Sequence, residues 1–220
     1  MNPTYTRPLK WLVALMVPFL LILTVARLLF TPPSVQIVYR LPGFPEDVYG
    51  FTLEDRLHWS RISLEYLFND AGIEFLADQQ LPDGSPLYNQ RELSHMVDVK
   101  VLFQQAMRVL SVLLFGMAAL AVWAWLGKWM PTFVRGLGLG GRLTIGLVLL
   151  ILVAVAVSFT ALFTTFHRIF FTGDTWLFLY SDTLIRLFPM PLWEAVFISV
   201  GVFTLLGAAL LILLEKKTRV

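Results

Sequence analysis

Residues 143–166 read LTIGLVLLILVAVAVSFTALFTTF and contain no charged side chain. A helix rises about 1.5 Å per residue, so this stretch is longer than the roughly 30 Å hydrocarbon core of a bilayer. Three further apolar runs are similarly long, at residues 11–30, 101–126 and 193–214. Backbone groups in lipid must bond to one another, and four strands cannot close a barrel. The sequence therefore predicts an all-α membrane protein with four transmembrane helices, and Pro18 predicts a kink in the first of them.

The composition excludes several classes of protein. Hydrophobic residues make up 57% of the 220 residues and charged residues 15%, whereas soluble domains are about 45–50% apolar and about 25% charged. An ordinary soluble enzyme and a disordered chain are therefore excluded. A formal net charge of +2 is a weak basic field, so no nucleic-acid partner is expected.

The distribution of Lys and Arg predicts the orientation of the four spans. Residues 31–100 carry eleven acidic residues against five basic ones, whereas the segments before the first run, between the second and third, and after the fourth are basic. The basic residues of those three segments are Arg7, Lys10, Lys128, Arg135, Arg142, Lys216, Lys217 and Arg219. Because cytoplasmic segments are enriched in Lys and Arg, both termini are expected in the cytoplasm.

The expected order of segments follows from the runs and their orientation. The first run is too long for the apolar region of a signal peptide and lacks a small-residue cleavage site, so we interpret it as an uncleaved anchor. The segments are a cytoplasmic tip with the first span (1–30), an extracytoplasmic domain (31–100), the second span (101–126), a cytoplasmic loop (127–142), the third span (143–166), an extracytoplasmic loop (167–192), the fourth span (193–214) and a cytoplasmic tail (215–220).

The segment at residues 31–100 is too long for a structureless loop and predicts a small mixed α/β domain. Val35–Leu41 (VQIVYRL) is rich in β-branched residues and predicts a short strand. Thr52 followed by Asp55 predicts a helix N-terminus, with an amphipathic helix up to Asn69 that could lie on the membrane surface. Arg91 is expected to begin a helix that runs unbroken into the second span.

The glycine-rich run Gly136-Leu-Gly-Leu-Gly140-Gly follows Arg135. No strand precedes it, so a dinucleotide-binding loop is excluded. We interpret the run as a flexible hairpin linker between the second and third spans.

Ionisable side chains gather at the predicted outer boundary of the membrane. His167 lies one residue beyond the third span, and His95 lies on the helix that enters the second span. The other candidates are Asp98, Asp174, Arg27 and Arg108. Each also has a structural interpretation, because an interfacial histidine often caps backbone groups and an arginine near the end of a span can reach phosphates. The remaining histidine, His58, is expected to be non-catalytic, and Trp176 is interpreted as part of an interfacial aromatic belt.

Two motifs then resemble a bacterial family of integral membrane proteins that includes the lipoprotein intramolecular transacylase. The first is Ser94–Lys100 (SHMVDVK), immediately before a span. The second is Phe166–Phe171 (FHRIFF), followed by Asp174, Trp176 and Phe178 and then by Asp182–Pro189 (DTLIRLFP). Together with four spans, the match covers the whole predicted topology.

The resemblance implies an enzyme that moves an acyl chain from the sn-2 ester of a diacylglyceryl-cysteine lipoprotein to its N-terminal amine. The family's two motif histidines fall on His95 and His167. We expect His167 to be the general base and His95 to assist proton transfer, with Asp98, Asp174, Arg27 and Arg108 in support. The partners would be the lipoprotein substrate and membrane lipid. The enzyme needs no covalent nucleophile, because both reacting groups belong to one substrate. No metal or cofactor is expected.

The position of His95 along its helix raises a question of depth. His95 precedes Phe103, where the apolar run becomes dense, by eight residues, or roughly 12 Å along a helix. Either burial of the helix begins earlier, at Met96–Val101, or the outer segment folds down over the histidines. We expect the second, because a cover of this kind would also exclude water. The alternative is a non-enzymatic membrane subunit or lipid-binding protein, which would tolerate loss of either histidine. A transporter is disfavoured because the spans lack ionisable residues at their midplane.

Overall fold

The computed structural model of the chain describes residues 3–218 and contains eight helices in that range. Their bounds are α1 Pro3–Leu29, α2 Pro32–Tyr39, α3 Leu53–Phe68, α4 Glu74–Ala77, α5 Gln90–Leu126, α6 Met130–Phe170, α7 Thr183–Leu187 and α8 Met190–Lys217. Four of them, α1, α5, α6 and α8, are long and apolar enough to cross a membrane. The predicted contribution of Arg219 to the basic tail lies outside the described residues.

The structure corrects the predicted mixed domain, because residues 3–218 contain no strand beyond an isolated bridge between Gln80 and Pro86. The predicted strand Val35–Leu41 was wrong, since this segment belongs to helix α2 and the turn after it. Pro32 and Pro33 occupy the first turn of α2, where the fixed φ of proline favours a helix. Val35, Val38 and Tyr39 then recur at helical spacing and are buried, so packing overrides the β-propensity of the segment.

The chain divides into two compact units. Unit 1 comprises residues 1–28, 106–157 and 198–220, and unit 2 comprises residues 29–105 and 158–197. Residues 31–100, the predicted outer domain, therefore share a unit with residues 158–197, and the predicted segment bounds stay predictions. In α6 the division falls at Ser158, whose backbone is extended and whose Oγ accepts a hydrogen bond from the N–H of Ala161 at 3.2 Å.

Unit 1 is packed around glycines of α6, and the predicted flexible linker was wrong. Helix α6 begins at Met130 and includes the whole glycine run. A Cβ at Gly136 would lie 2.9 Å from the carbonyl oxygen of Lys10, and one at Gly141 would lie 2.7 Å from that of Ala208. Glycine therefore lets α1 and α8 approach the backbone of α6, as small residues do at helix interfaces in membranes. The Gly136/Gly140 spacing of four residues was the signal that the linker interpretation overlooked.

Unit 2 has a hydrophobic core of the kind found in soluble domains. It is made from α2, α3, α4, α7, the first turns of α5 and α8, and the residues just before α5. Its most deeply buried side chains, at most 5% exposed, are Val35, Leu64, Tyr66, Leu67, Leu76, Leu87, Tyr88, Met96, Leu187 and Leu192. Helix α3 has the predicted capping box between Thr52 and Asp55. It contributes several side chains to this core, so it packs within the protein rather than only against a membrane surface.

Candidate active site

Two imidazoles lie side by side in unit 2. His95 lies on the second turn of α5 and His167 on the last turn of α6. Their ring centroids are 5.9 Å apart and the ring planes differ by 24°. Both residues are 8% exposed. The structure therefore brings together the two histidines that the sequence identified, although 72 positions separate them.

Aromatic rings surround the two imidazoles. His95 makes edge contacts with two phenylalanine rings at 4.9 and 5.3 Å. His167 contacts four rings at 4.1–5.6 Å, and one of them, Phe171, also contacts His95. These residues are Phe163, Phe166, Phe171, Trp176 and Phe178. Trp176, interpreted from sequence as part of an aromatic belt, lies 5.0 Å from the His167 ring instead. Apolar walls of this kind limit the access of water to a reacting group.

His167 has a defined orientation and a defined free nitrogen. Its Nδ1 lies 2.8 Å from the carbonyl oxygen of Phe163, one turn earlier in α6. A carbonyl can only accept, so Nδ1 carries a hydrogen and donates it. In the neutral ring the lone pair then belongs to Nε2. A backbone carbonyl thus does what a carboxylate does in many catalytic histidines, and Nε2 is left to accept a proton.

His95 is held differently. Its Nδ1 is buried and has no hydrogen-bond partner among residues 3–218. Buried polar atoms without a partner are uncommon in proteins, and each one needs an explanation. The atom belongs to a ring that is stacked against a second imidazole.

The predicted supporting residues fall into two groups. Asp98 is half-buried and Asp174 is exposed, and no hydrogen bond in the described part of the chain joins either carboxylate to an imidazole. Arg27 and Arg108 belong to unit 1, whereas the two histidines belong to unit 2, and their roles stay predictions from the sequence. His58 is exposed on α3, against the neighbouring ring of Trp59, and its non-catalytic role stays a prediction.

Polar contacts between distant parts of the chain anchor α7, and no sequence pattern pointed to them. Arg186 on α7 donates to the Asp47 carboxylate at 2.9 and 3.2 Å and to the carbonyl of Tyr49 at 3.2 Å. Its guanidinium lies 3.4 Å from the ring centroid of Phe51. Burial alone would raise the pKa of Asp47, but hydrogen bonds from Arg186 and from the N–H of Phe51 outweigh it, and the pKa lies below its ordinary value. No local spacing links these residues, because 139 positions separate Asp47 from Arg186.

A second polar contact joins α2 to the end of α7. The hydroxyl of Tyr39 donates to the carbonyl of Leu187. Burial of the phenol raises the pKa of Tyr39 to about 12, despite the opposing charge of Arg56 over its ring. Tyr39 therefore stays a hydrogen-bond donor at any physiological pH.

Among residues 3–218, no three His, Asp or Glu side chains converge as metal ligands.

Fold and site together define a helical membrane protein with a pair of buried histidines in an aromatic surround. The profile of the lipoprotein intramolecular transacylase (Lit) family matches residues 11–193. The chain belongs to this family, which its name describes as one of acyltransferases acting on lipoproteins. With four apolar helices of sufficient length, it is a multi-pass bacterial membrane protein.

Two relatives illustrate the similarity. An uncharacterized protein of Aquifex aeolicus (strain VF5) is 28% identical over 202 residues, which cover 87% of each chain. The in meso structure of the membrane integral lipoprotein intramolecular transacylase Lit from Bacillus cereus superposes with a TM-score of 0.81, at 18% identity, over 99% of both chains. A variant of that protein with a histidine replaced by alanine superposes with a TM-score of 0.76 at 19% identity, over 98% of this chain and 96% of that one. The structural matches establish the fold.

Proposed function

We propose that the protein catalyses an intramolecular O-to-N acyl transfer on lipoproteins. The substrate would be a lipoprotein whose N-terminal Cys carries a diacylglyceryl group and a free α-amine, and the product a lyso-form lipoprotein with an N-acylated terminus. The observation that carries the proposal is the pair of imidazoles, stacked 5.9 Å apart and enclosed by aromatic rings. Family membership supports the same reaction.

The proposed reaction starts with the amine. A free α-amino group has a pKa of about 8, so it must lose a proton before or during attack. Nε2 of His167 accepts that proton while Nδ1 donates to the carbonyl of Phe163. The amine nitrogen attacks the carbonyl carbon of the sn-2 ester, and a C–N bond forms. Collapse of the tetrahedral intermediate breaks the bond to the glycerol oxygen, which takes up the proton held on His167.

His95 would serve the same transfer from the other side. Its Nδ1 has no hydrogen-bond partner in the described part of the chain, so it is available to bind a group of the substrate. In its neutral form it can accept from the amine, and in its protonated form it can donate to the ester oxygen. Both roles fit a ring that lies beside His167. The enzyme supplies no covalent nucleophile in this scheme, and the intramolecular geometry of the substrate removes most of the entropic cost.

Water would compete with the amine for the ester. The rings of Phe171, Trp176 and Phe178 lie against the imidazoles and leave both histidines 8% exposed. Exclusion of water would therefore favour transfer over hydrolysis. The supporting roles of Arg27 and Arg108, as groups that stabilise the oxyanion or bind a phosphate, remain proposals from the sequence.

The charge distribution supports an outward-facing site. We propose that both termini and residues 127–142 are cytoplasmic and that residues 31–100 and 167–192 are extracytoplasmic, because Lys and Arg are enriched on the cytoplasmic side. His95 and His167 would then act at the outer leaflet, at the depth of glycerol esters.

The test uses the three histidines of the chain, since one is an internal control. The wild type and three variants, His95→Ala, His167→Ala and His58→Ala, are expressed in a host whose lipoproteins are diacylated. Mass spectrometry of the N-terminal lipopeptide then measures the lyso-form fraction. We expect the wild type and His58→Ala to give the N-acylated product and the other two variants to lose it.

A circular dichroism spectrum of each purified variant checks that the helices are retained. The proposal is wrong if the wild type yields no lyso-form product, or if His167→Ala yields as much as the wild type. Tolerance of both site substitutions would favour the alternative of a non-enzymatic lipid-binding protein.

A further inference from the structure

The carboxylate of Glu92 lies one helical turn before His95 and is 1% exposed. Its Oε2 accepts a hydrogen bond from the N–H of Asn89 at 2.8 Å, within the first turn of α5. Its Oε1 accepts from the N–H of Leu184 at 2.7 Å, at the start of α7. One buried side chain therefore bonds to the N-terminal turns of two helices, where negative charge is favoured.

Further contacts join the same two segments. The Thr183 hydroxyl donates to the carbonyl of Leu87 at 2.6 Å. Asp182 accepts from the side-chain amide of Asn89 at 3.2 Å and pairs with Arg91 at 3.5 Å. We call these contacts between residues 87–92 and 182–184 the strap. Glu92 is the most deeply buried charged group in it, so its hydrogen bonds are the most costly to leave unmade.

The strap determines where the aromatic segment lies. The chain from Phe171 to Phe178 comes directly before the strapped residues, and its rings contact both imidazoles. At the other end this segment is fixed by the end of α6 at Phe170. Its position against His95 therefore depends on the strap on one side and on α6 on the other.

We propose that Glu92 is a positioning residue for the histidine pair. Both of its oxygens bond to backbone N–H groups, so it acts through the segment that it holds rather than on the substrate. Loss of its two hydrogen bonds weakens the strap, so that residues 171–182 can move away from His95 and His167 and admit water to the site. The inference rests on the proposed acyl transfer for its effect on rate, but its structural content is independent of that reaction.

The test replaces Glu92 with Gln, which has almost the same shape. The amide keeps one acceptor oxygen but presents an NH₂ group to the second backbone N–H, so one of the two hydrogen bonds is lost. The matched control is Glu54→Gln, because Glu54 is an exposed glutamate on α3. We expect the transacylation rate of Glu92→Gln to fall by about tenfold to a hundredfold, the factor that corresponds to the energy of a hydrogen bond to a charged group.

The deciding measurement is NMR of the full-length protein in nanodiscs with ¹³C-labelled histidine. Only three histidines contribute signals, and His95 and His167 lie within the ring-current fields of their aromatic neighbours. We expect their resonances to shift or broaden in Glu92→Gln while that of His58 stays in place, and Glu54→Gln to leave all three unchanged. The transacylation rate is measured on the same samples.

The outcomes separate this inference from the proposed function. Unchanged His95 and His167 resonances in a folded Glu92→Gln protein overturn the positioning role. If the resonances move and the wild type shows no acyl transfer, the positioning role stands and the proposed function fails. If Glu92→Gln does not fold, Thr183→Val removes a neighbouring bond of the strap without touching the carboxylate. We then expect a smaller shift of the same two resonances, and its absence overturns the inference.

Discussion

Gly140 provides a quantitative test of how the helices of unit 1 pack. A Cβ at this position would lie 2.5 Å from Cβ of Val17 and 2.8 Å from the carbonyl oxygen of Ala14. Carbon atoms in contact are normally about 3.5–4.0 Å apart. The backbone of α1 must therefore withdraw by roughly 1 Å to admit a single methyl group. We expect Gly140→Ala to destabilise the protein, although alanine is the better helix former.

The magnitude follows from two opposing effects. Overpacking of a close contact typically costs about 1–3 kcal/mol, and replacing a helical glycine by alanine returns about 0.5–1 kcal/mol. The net loss at Gly140 is therefore about 0–2.5 kcal/mol. Gly146 of the same helix is the matched control, because a Cβ there meets nothing within 4 Å. Gly146→Ala should leave the stability equal to that of the wild type or slightly above it.

The assay is reversible unfolding in mixed micelles of dodecyl maltoside with increasing sodium dodecyl sulfate, followed by circular dichroism. We expect the midpoint to fall in Gly140→Ala and to stay in place or rise slightly in Gly146→Ala, although both variants carry the same chemical change in one helix. If Gly140→Ala is as stable as Gly146→Ala, the close approach of α1 to α6 is wrong.

Two further perturbations test polar contacts by the same unfolding assay. Asp47→Asn should lower stability by about 1.5–3 kcal/mol, because it weakens the charge-assisted bonds to Arg186. Since the pKa of Asp47 is lower in the folded protein than in the unfolded chain, this contribution is complete above the unfolded value of about 3.9 and is lost as the pH falls through the lower folded value. A difference between wild type and variant that does not shrink below pH 4 would contradict the assignment. Arg142→Gln should cost about 1–3 kcal/mol, because it leaves the Glu215 carboxylate, 2% exposed, without its 2.7 Å partner. Arg61→Gln, in an exposed pair with Glu65, should cost about 0–1 kcal/mol, and equal effects of the two would refute the argument from burial.

The four membrane helices could be predicted from sequence because a bilayer imposes a simple requirement. A helix that crosses it must be apolar over its full width, so continuous runs such as residues 143–166 are sufficient evidence. The ends of the helices were not predictable in the same way. Helix α6 extends from Met130 to Phe170, beyond the apolar run at both ends. Hydropathy marks only the part of a helix that faces lipid, and the helix continues where other parts of the protein pack against it. The glycine run was misinterpreted for the same reason, as packing between helices does not change hydropathy.

The short elements of unit 2 depend on tertiary packing and were predicted less well. Val35–Leu41 has the composition of a strand, yet its buried side chains recur at helical spacing against a core from distant segments. The capped start of α3 at Thr52 was predictable, because a capping box is a local interaction. Local interactions such as this capping box can therefore be predicted from the sequence, whereas the packing of α2 against distant segments could not.

The two carboxylates beside His95 show where spacing alone runs out. Glu92 and Asp98 lie three residues before and three residues after His95, so helical periodicity places both near its face. The sequence favoured Asp98, on the expectation that a carboxylate orients an imidazole. In the structure the carbonyl of Phe163 orients His167 instead. The buried carboxylate of Glu92 accepts a hydrogen bond from the backbone N–H of Leu184, 92 residues away. Since the choice between two equivalent spacings is made by that long-range contact, no local rule could have made it.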